Sequence, residues 1–212
     1  ALYEGDYGYQ LIGDVASLGF TVNGIVPDGF RVMTMNKKVE SLADMHGLKM
    51  RMPNLEIMVE IGNYLGFAVT PMSMTEVFSA LEQGVIDGQE NPPSTIRSQG
   101  WYEIQDYLLV SNHVFTSLFL CVNNDFYNSL DSELQNILDE VIDETCAQIW
   151  DTAQTQAQED LDYMSSEGGI EVYEPSDSFR QEMVEATAPM YDNMYETAPE
   201  VEEVINAIQA IQ

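Results

Sequence analysis

The sequence predicts an α/β protein whose strands pair largely in parallel, and two stretches carry that reading. Between residues 48 and 88, short apolar runs alternate with helical spacings in the order strand, helix, strand, helix, strand. That order places successive strands side by side in one sheet. Further on, one helical periodicity persists from Ser132 to about Met164 and stops at Gly168-Gly169. At 1.5 Å per residue it would run about 50 Å, longer than a small domain needs, so it is expected to bridge two lobes. Its later core positions, Ala153 and Ala157, are too small to sustain a coiled-coil seam.

The elements follow in order. Tyr3 to Leu18 has helical spacing (Tyr7, Leu11, Val15, Leu18), closed by Gly19. Phe20–Val26 and Phe30–Met35 read as strands separated by a Pro27-Asp28-Gly29 turn. Leu48–Met52 is a strand, and Pro53-Asn54 turns the chain into the helix Leu55–Leu65. Phe67–Thr70 is the next strand. Ser73-x-x-Glu76 fits a capping box for a helix over Thr75–Gln83, which Gly84 ends. Val85-Ile86 is a minimal strand leading into Asp87-Gly88. After Asn91-Pro92-Pro93 come short helical pieces at Ser94–Ser98 and Trp101–Gln105, then strands over Tyr107–Asn112 and Val114–Val122. The second of these ends in a continuous apolar run, the pattern of a strand buried on both faces. After the long helix, Ile170–Tyr173 is a strand, a helix is expected from Asp177 to about Met194, and Pro199 opens a last one to Ile211.

Composition excludes several functions. With 45% hydrophobic and 10% aromatic residues in 212, the chain can bury a core and is not disordered. Thirty-six acids against seven Lys and Arg give a net charge of −29, which excludes a general nucleic-acid binder and disfavours anionic membranes. No apolar run is long enough to insert directly into a membrane, and the first residues, Ala1 to Asp6, do not read as a signal peptide. Arg180 is the only cation after Arg97, so the C-terminal half is a solvated acidic surface. Cys121 and Cys146 read as two buried free thiols, with a disulfide left open. No cofactor motif, calcium loop or zinc spacing is present, so neither a cofactor nor a metal is expected.

Enzyme signatures are absent: no GxSxG, P-loop, GxGxxG or HExxH occurs. Two stretches stand out instead. Arg51 sits where a strand ends and a helix begins, a common anion position in α/β proteins; the alternative is a solvated arginine or a structural ion pair. Gly84-Val85-Ile86-Asp87-Gly88-Gln89-Glu90-Asn91-Pro92 packs four hydrogen-bonding side chains into five residues, more than a turn needs, and suggests a crossover between lobes or a ligand wall.

These residues carry a resemblance. Gly47–Pro53, Pro71–Pro92, Tyr102-Glu103-Ile104-Gln105 and Ser111-Asn112-His113, in this order, closely resemble the solute-binding proteins of tripartite ATP-independent periplasmic (TRAP) transporters, the DctP family; Phe30-Arg31 also matches. The resemblance implies a periplasmic-binding-protein-like α/β fold of two lobes with a long bridging helix. In the family an N-terminal α/β portion precedes the matched region, so the first lobe is expected to be incomplete here. Residues 1–28 would be a remnant of lobe I and 29–116 lobe II with the ligand motifs. Residues 117–156 would return to lobe I and the start of the long helix, and 157–212 would complete that helix and add C-terminal helices on lobe II.

The resemblance further implies a binding protein, not an enzyme, that captures a small organic acid in a cleft and delivers it to TRAP membrane subunits. Its place would be periplasmic or extracellular, with a lipid anchor on the full-length precursor an open alternative. Arg51 matches the position that holds the ligand carboxylate, a task suited to its planar fork. Arg31, Asn54, Asn91 and His113 match positions that line the pocket. Met72 and Met74 fall where the family packs the ligand body, against the plainer reading of core methionines. Trp101 and Tyr102 read as core and Glu76 as a helix cap. Two other classes stay open: a ligand-sensing or interaction module built on the same lobe, and an acid–base enzyme around His113 and Asp87.

Overall fold

The structure is a computed structural model; it describes residues 6–199 and 201–209. The ends of the expected first and last helices, at Tyr3 and Ile211, lie outside the described residues. The chain divides into two compact units. One comprises residues 1–29, 116–155 and 200–212, the other 30–115 and 156–199. Residues 201–209, expected beside the second lobe, group with the first unit.

In the first unit, α1 (Asp6–Ala16) leads into β1 (Phe20–Phe30), which pairs with β7 (Phe115–Asn123). β1 runs straight through the expected Pro27-Asp28-Gly29 turn, since a proline is tolerated in a strand at a sheet edge. β7 is not buried on both faces as expected: Phe115, Leu118 and Leu120 are exposed. Among the described residues it has β1 as its only neighbour, so one two-stranded sheet leaves its faces accessible. The same openness corrects the cysteine reading, for Cys121 is exposed and Cys146 half-buried, with no bond between them. A short helix, α6 (Asn124–Ser129), escaped the sequence pattern; Asn123 caps it, its Oδ1 accepting from Phe126 N at 3.0 Å. The long helix α7 (Ser132–Ser166) has residues 132–155 in this unit and the remainder in the other. Trp150 on α7 donates from Nε1 to the Ile25 carbonyl at 2.9 Å. α10 (Val201–Gln209) also belongs here. Among the described residues, no helix is long and apolar enough to cross a membrane.

The second unit is built on a six-stranded sheet. Its strands are β2 (Val32–Met35), β3 (Lys49–Met52), β4 (Ala68–Pro71), β5 (Gly88–Asn91), β6 (Tyr107–Leu109) and β8 (Glu171–Tyr173), in the order β4-β3-β5-β2-β6-β8. β3 is parallel to β4 and β5, and β6 to β8; β2 runs antiparallel to both of its neighbours. Side-chain alternation sends Met33, Met35, Met50, Met52 and Leu109 into one core, closed by Phe67, Phe179 and Met183. Val32, Leu108 and Val110 enter a second core with Val77, Ile96, Trp101 and Met164. Trp101 and Tyr102 are thus core residues, as read from sequence.

Helices fill the connections: α2 (Leu42–Met45), α3 (Glu56–Tyr64), α4 (Val77–Glu82), α5 (Pro93–Ser98), α8 (Asp177–Thr187) and α9 (Pro189–Thr197). The helix expected from Asp177 to Met194 is two helices, because Pro189 brings no N–H to continue the ladder and instead starts α9. Before α4, Ser73 N donates to Glu76 Oε2 at 3.1 Å, the cap contact read from the sequence. The fifth strand differs most from expectation. Val85-Ile86 is not the strand; the polar Gly88-Gln89-Glu90-Asn91 is, and all four residues are buried. Gly88 is needed for space, since a Cβ there would run into the Thr34 carbonyl oxygen.

Candidate functional site

Three chain segments meet at one end of this sheet. Arg31 lies between β1 and β2, with its N–H held by the Val114 carbonyl at 2.8 Å. Arg51 sits on β3, in register with Gln89 of β5. The loop after β6 supplies Ser111 and His113, with Asn112 between them at φ 47°, a left-handed conformation that asparagine tolerates better than most residues.

Arg31 is matched to Glu90. Its Nε donates to Oε2 at 2.5 Å and its Nη2 to Oε1 at 3.0 Å, a two-pronged pair. Nη2 also donates to the Glu90 carbonyl at 2.9 Å and to Asn91 Oδ1 at 3.0 Å. The two side chains are 8% and 0% exposed. His113, its imidazole 6% exposed, brings Nε2 to 3.4 Å from Glu90 Oε2, without hydrogen-bond alignment. Its Nδ1 lies 2.8 Å from Ser111 Oγ. Burial pushes the Glu90 carboxyl up, but His113 and Arg31 outweigh it and hold the group below the ordinary glutamate range.

Arg51 is placed differently. It is 5% exposed, and both Nε and Nη2 donate to one neutral acceptor, the Met72 carbonyl, at 3.1 and 2.9 Å. Among the described residues no acid bonds it. Burial pulls its pKa down and Arg31 adds to that, while Glu90 opposes; an arginine nonetheless stays protonated. Two guanidinium groups therefore lie near the Glu90 carboxylate, and Arg31 is the one bonded to it.

Of the seven residues singled out in the sequence, Arg31, Asn91 and His113 gather around Glu90, and Arg51 feels the charges of the same group. Met72 takes part through its carbonyl, and its side chain packs on the second core. Met74 and Asn54 are exposed and bond none of the others among the described residues. Glu90, Gln89 and Ser111 were not singled out as site residues. The available signal was the polar run after Gly88: a buried strand of such residues must pair every polar atom with another. Among the described residues, no group of three His, Cys, Asp or Glu is arranged to hold a metal.

Comparison with known proteins now decides the lineage. The model of the DctP family, bacterial extracellular solute-binding protein family 7, matches residues 1–198. The chain belongs to this family. A TRAP periplasmic solute-binding protein of Haemophilus influenzae, solved with bound L-gulonate, superposes with a TM-score of 0.92 at 31% identity over 100% of this chain and 69% of that one. The sugar acid binding protein of Advenella mimigardefordensis, solved with galactonate, gives 0.92 at 27% identity and the same coverage. The C4-dicarboxylate-binding periplasmic protein of Rhodobacter capsulatus is 30% identical over 193 residues, 91% of this chain and 58% of that protein. All three are named as binding proteins. The chain thus has the α/β architecture of DctP-family TRAP solute-binding proteins along its whole length, while spanning little more than half the length of the curated relatives it matches.

Proposed function

We propose that the protein is a periplasmic or extracellular TRAP solute-binding protein that captures a small organic acid and hands it to transporter membrane subunits. In this reading Arg51 receives the ligand carboxylate. The observation that carries it is the bonding of Arg51: a buried guanidinium whose hydrogen bonds among the described residues go to a neutral carbonyl. A buried guanidinium with no acid bonded to it suits an anion, and a carboxylate presents two oxygens to a planar fork. Sugar acids and dicarboxylates are the classes bound by the relatives. Arg31, Asn91 and His113 then form the wall around that carboxylate. Exposed Asn54 is assigned to the same pocket lining, and exposed Met74 to the ligand body with Met72.

The test is calorimetric titration of the chain, and of the longest protein that carries it, with L-gulonate, galactonate, D-glucuronate and succinate. At least one should bind, and Arg51→Ala should weaken it by about 10- to 150-fold, the worth of a charge-assisted hydrogen bond. Affinity unchanged by Arg51→Ala would overturn the assignment.

A further inference from the structure

The buried polar strand β5 carries a directed chain of hydrogen bonds beyond the residues discussed so far. Arg31 Nη2 donates to Asn91 Oδ1 at 3.0 Å, Asn91 Nδ2 donates to Gln89 Oε1 at 2.8 Å, and Gln89 Nε2 donates to Thr34 Oγ1 at 2.9 Å. Thr34 and Gln89 are direct cross-strand partners on β2 and β5, and Asn91 follows two residues on, so all three face the same side of the sheet. Thr34 and Gln89 are fully buried.

The direction of this chain is forced. A guanidinium has only donors, so Asn91 must turn its oxygen to Arg31 and its nitrogen away. That nitrogen needs an acceptor, so Gln89 must present its own oxygen and send its nitrogen to Thr34, whose hydroxyl oxygen accepts. Reversing either carboxamide would set donor against donor in a buried site, at the full penalty of unpaired groups. One N–H of Asn91 Nδ2 is used on Gln89; the other has no partner among the described residues.

We propose that Thr34 and Gln89 are positioning residues that lock the Asn91 carboxamide with an N–H available to an acceptor oxygen of the bound acid. The assignment rests on the carboxylate reading above and extends it to specificity. The site accepts carboxylate, carbonyl or hydroxyl oxygens at Asn91 and rejects an ammonium there. A flipped Asn91 would invert that preference.

The experiment is a double-mutant cycle on ligand affinity, using galactonate or whichever acid of the panel binds tightest. Thr34→Val keeps the β-branched shape and removes the acceptor; it should raise Kd about tenfold. Thr34→Ser keeps the hydroxyl and should stay within about twofold of wild type. If Thr34 acts through Asn91, the cost of Thr34→Val disappears in an Asn91→Ala background. An equal cost in both backgrounds would overturn the proposal, as would wild-type affinity in Thr34→Val. Gln89→Met provides a second break in the chain, with the same expectation. Side-chain amide proton exchange by NMR needs no ligand: the Asn91 amide protons should exchange at least about tenfold faster in Thr34→Val, and equal exchange would refute the relay. If the wild-type protein binds no acid in the panel, the carboxylate reading falls first, while amide exchange still decides whether the lock exists.

Discussion

Glu90→Gln should be among the most destabilising single-atom changes available in the second unit. Glu90 is fully buried and receives both prongs of Arg31, which is itself 8% exposed. Replacing the carboxylate by a carboxamide removes the charge that meets both prongs of the buried guanidinium. It also turns an N–H of the new amide toward a donor. Breaking a buried pair in this way costs about 3–5 kcal/mol. For a chain of this size, about 2–4 °C per kcal/mol converts that to about 6–20 °C in Tm. The two tryptophans separate the units: Trp101 is 1% exposed in the second, and Trp150 is 48% exposed in the first. In a Trp150→Phe background, Trp101 fluorescence during urea unfolding therefore reports the second unit alone. Removing both charges by Arg31→Met with Glu90→Leu should recover most of the loss, since an apolar pair of similar volume often matches a buried ion pair. A cost below about 1 kcal/mol for Glu90→Gln, or a double variant no better than the single, would refute the claim that Glu90 is there to hold Arg31.

Two further outcomes are expected. Glu90 has a folded pKa below its unfolded value, so its contribution is present above about pH 4.3 and is lost as pH falls through the lower folded value. Acid unfolding followed by Trp101 fluorescence should show that component in wild type and lack it in Glu90→Gln. Gly88→Ala would drive a Cβ into the Thr34 carbonyl oxygen across the β2–β5 ladder, where backbone cannot yield cheaply. It should cost about 1–3 kcal/mol or more in the same urea assay, and a neutral result would show that the two strands can separate there.

Much of the second unit was legible because its strands obey the apolar pattern. Met50 and Met52 alternate with Lys49 and Arg51, and the observed β3 falls where that alternation placed it. β5 was missed for the opposite reason. A search for apolar runs stops at Val85-Ile86, and nothing local reveals that Gln89, Glu90 and Asn91 are buried. Their partners, Thr34 and Arg31, lie more than fifty residues away. The apolar run in β7 misled in the other direction: burial depends on what covers a strand, and one neighbour covers little. The break at Pro189 was available in the sequence, since proline cannot continue a helical ladder, but the apolar periodicity across it masked the signal. Arg51 was legible as a cation at a strand end. That its neighbour's charge is already answered by Glu90 was not, because that pairing joins β5 to a residue ahead of β2.

The unequal treatment of the two arginines also bears on which one meets a ligand in our proposal. Arg31 has committed the Nε–Nη2 edge of its fork to Glu90 and shares Nη2 with Asn91, so a second carboxylate approaching there would face the first. Arg51 uses the same edge on a neutral carbonyl, which orients the guanidinium plane without neutralising it. Its remaining edge still has two parallel N–H groups, one on each terminal nitrogen, the spacing a carboxylate takes end-on. Lysine could meet the carbonyl or the carboxylate but not both in one plane, which is a physical reason for arginine at this position. Long-range repulsion from the acidic surface is weak against this, for at physiological salt it is screened over about 8 Å. A buried contact is screened much less. In our proposal the acid surface therefore governs how often an anion arrives, and Arg51, bonded to no acid among the described residues, governs whether it stays.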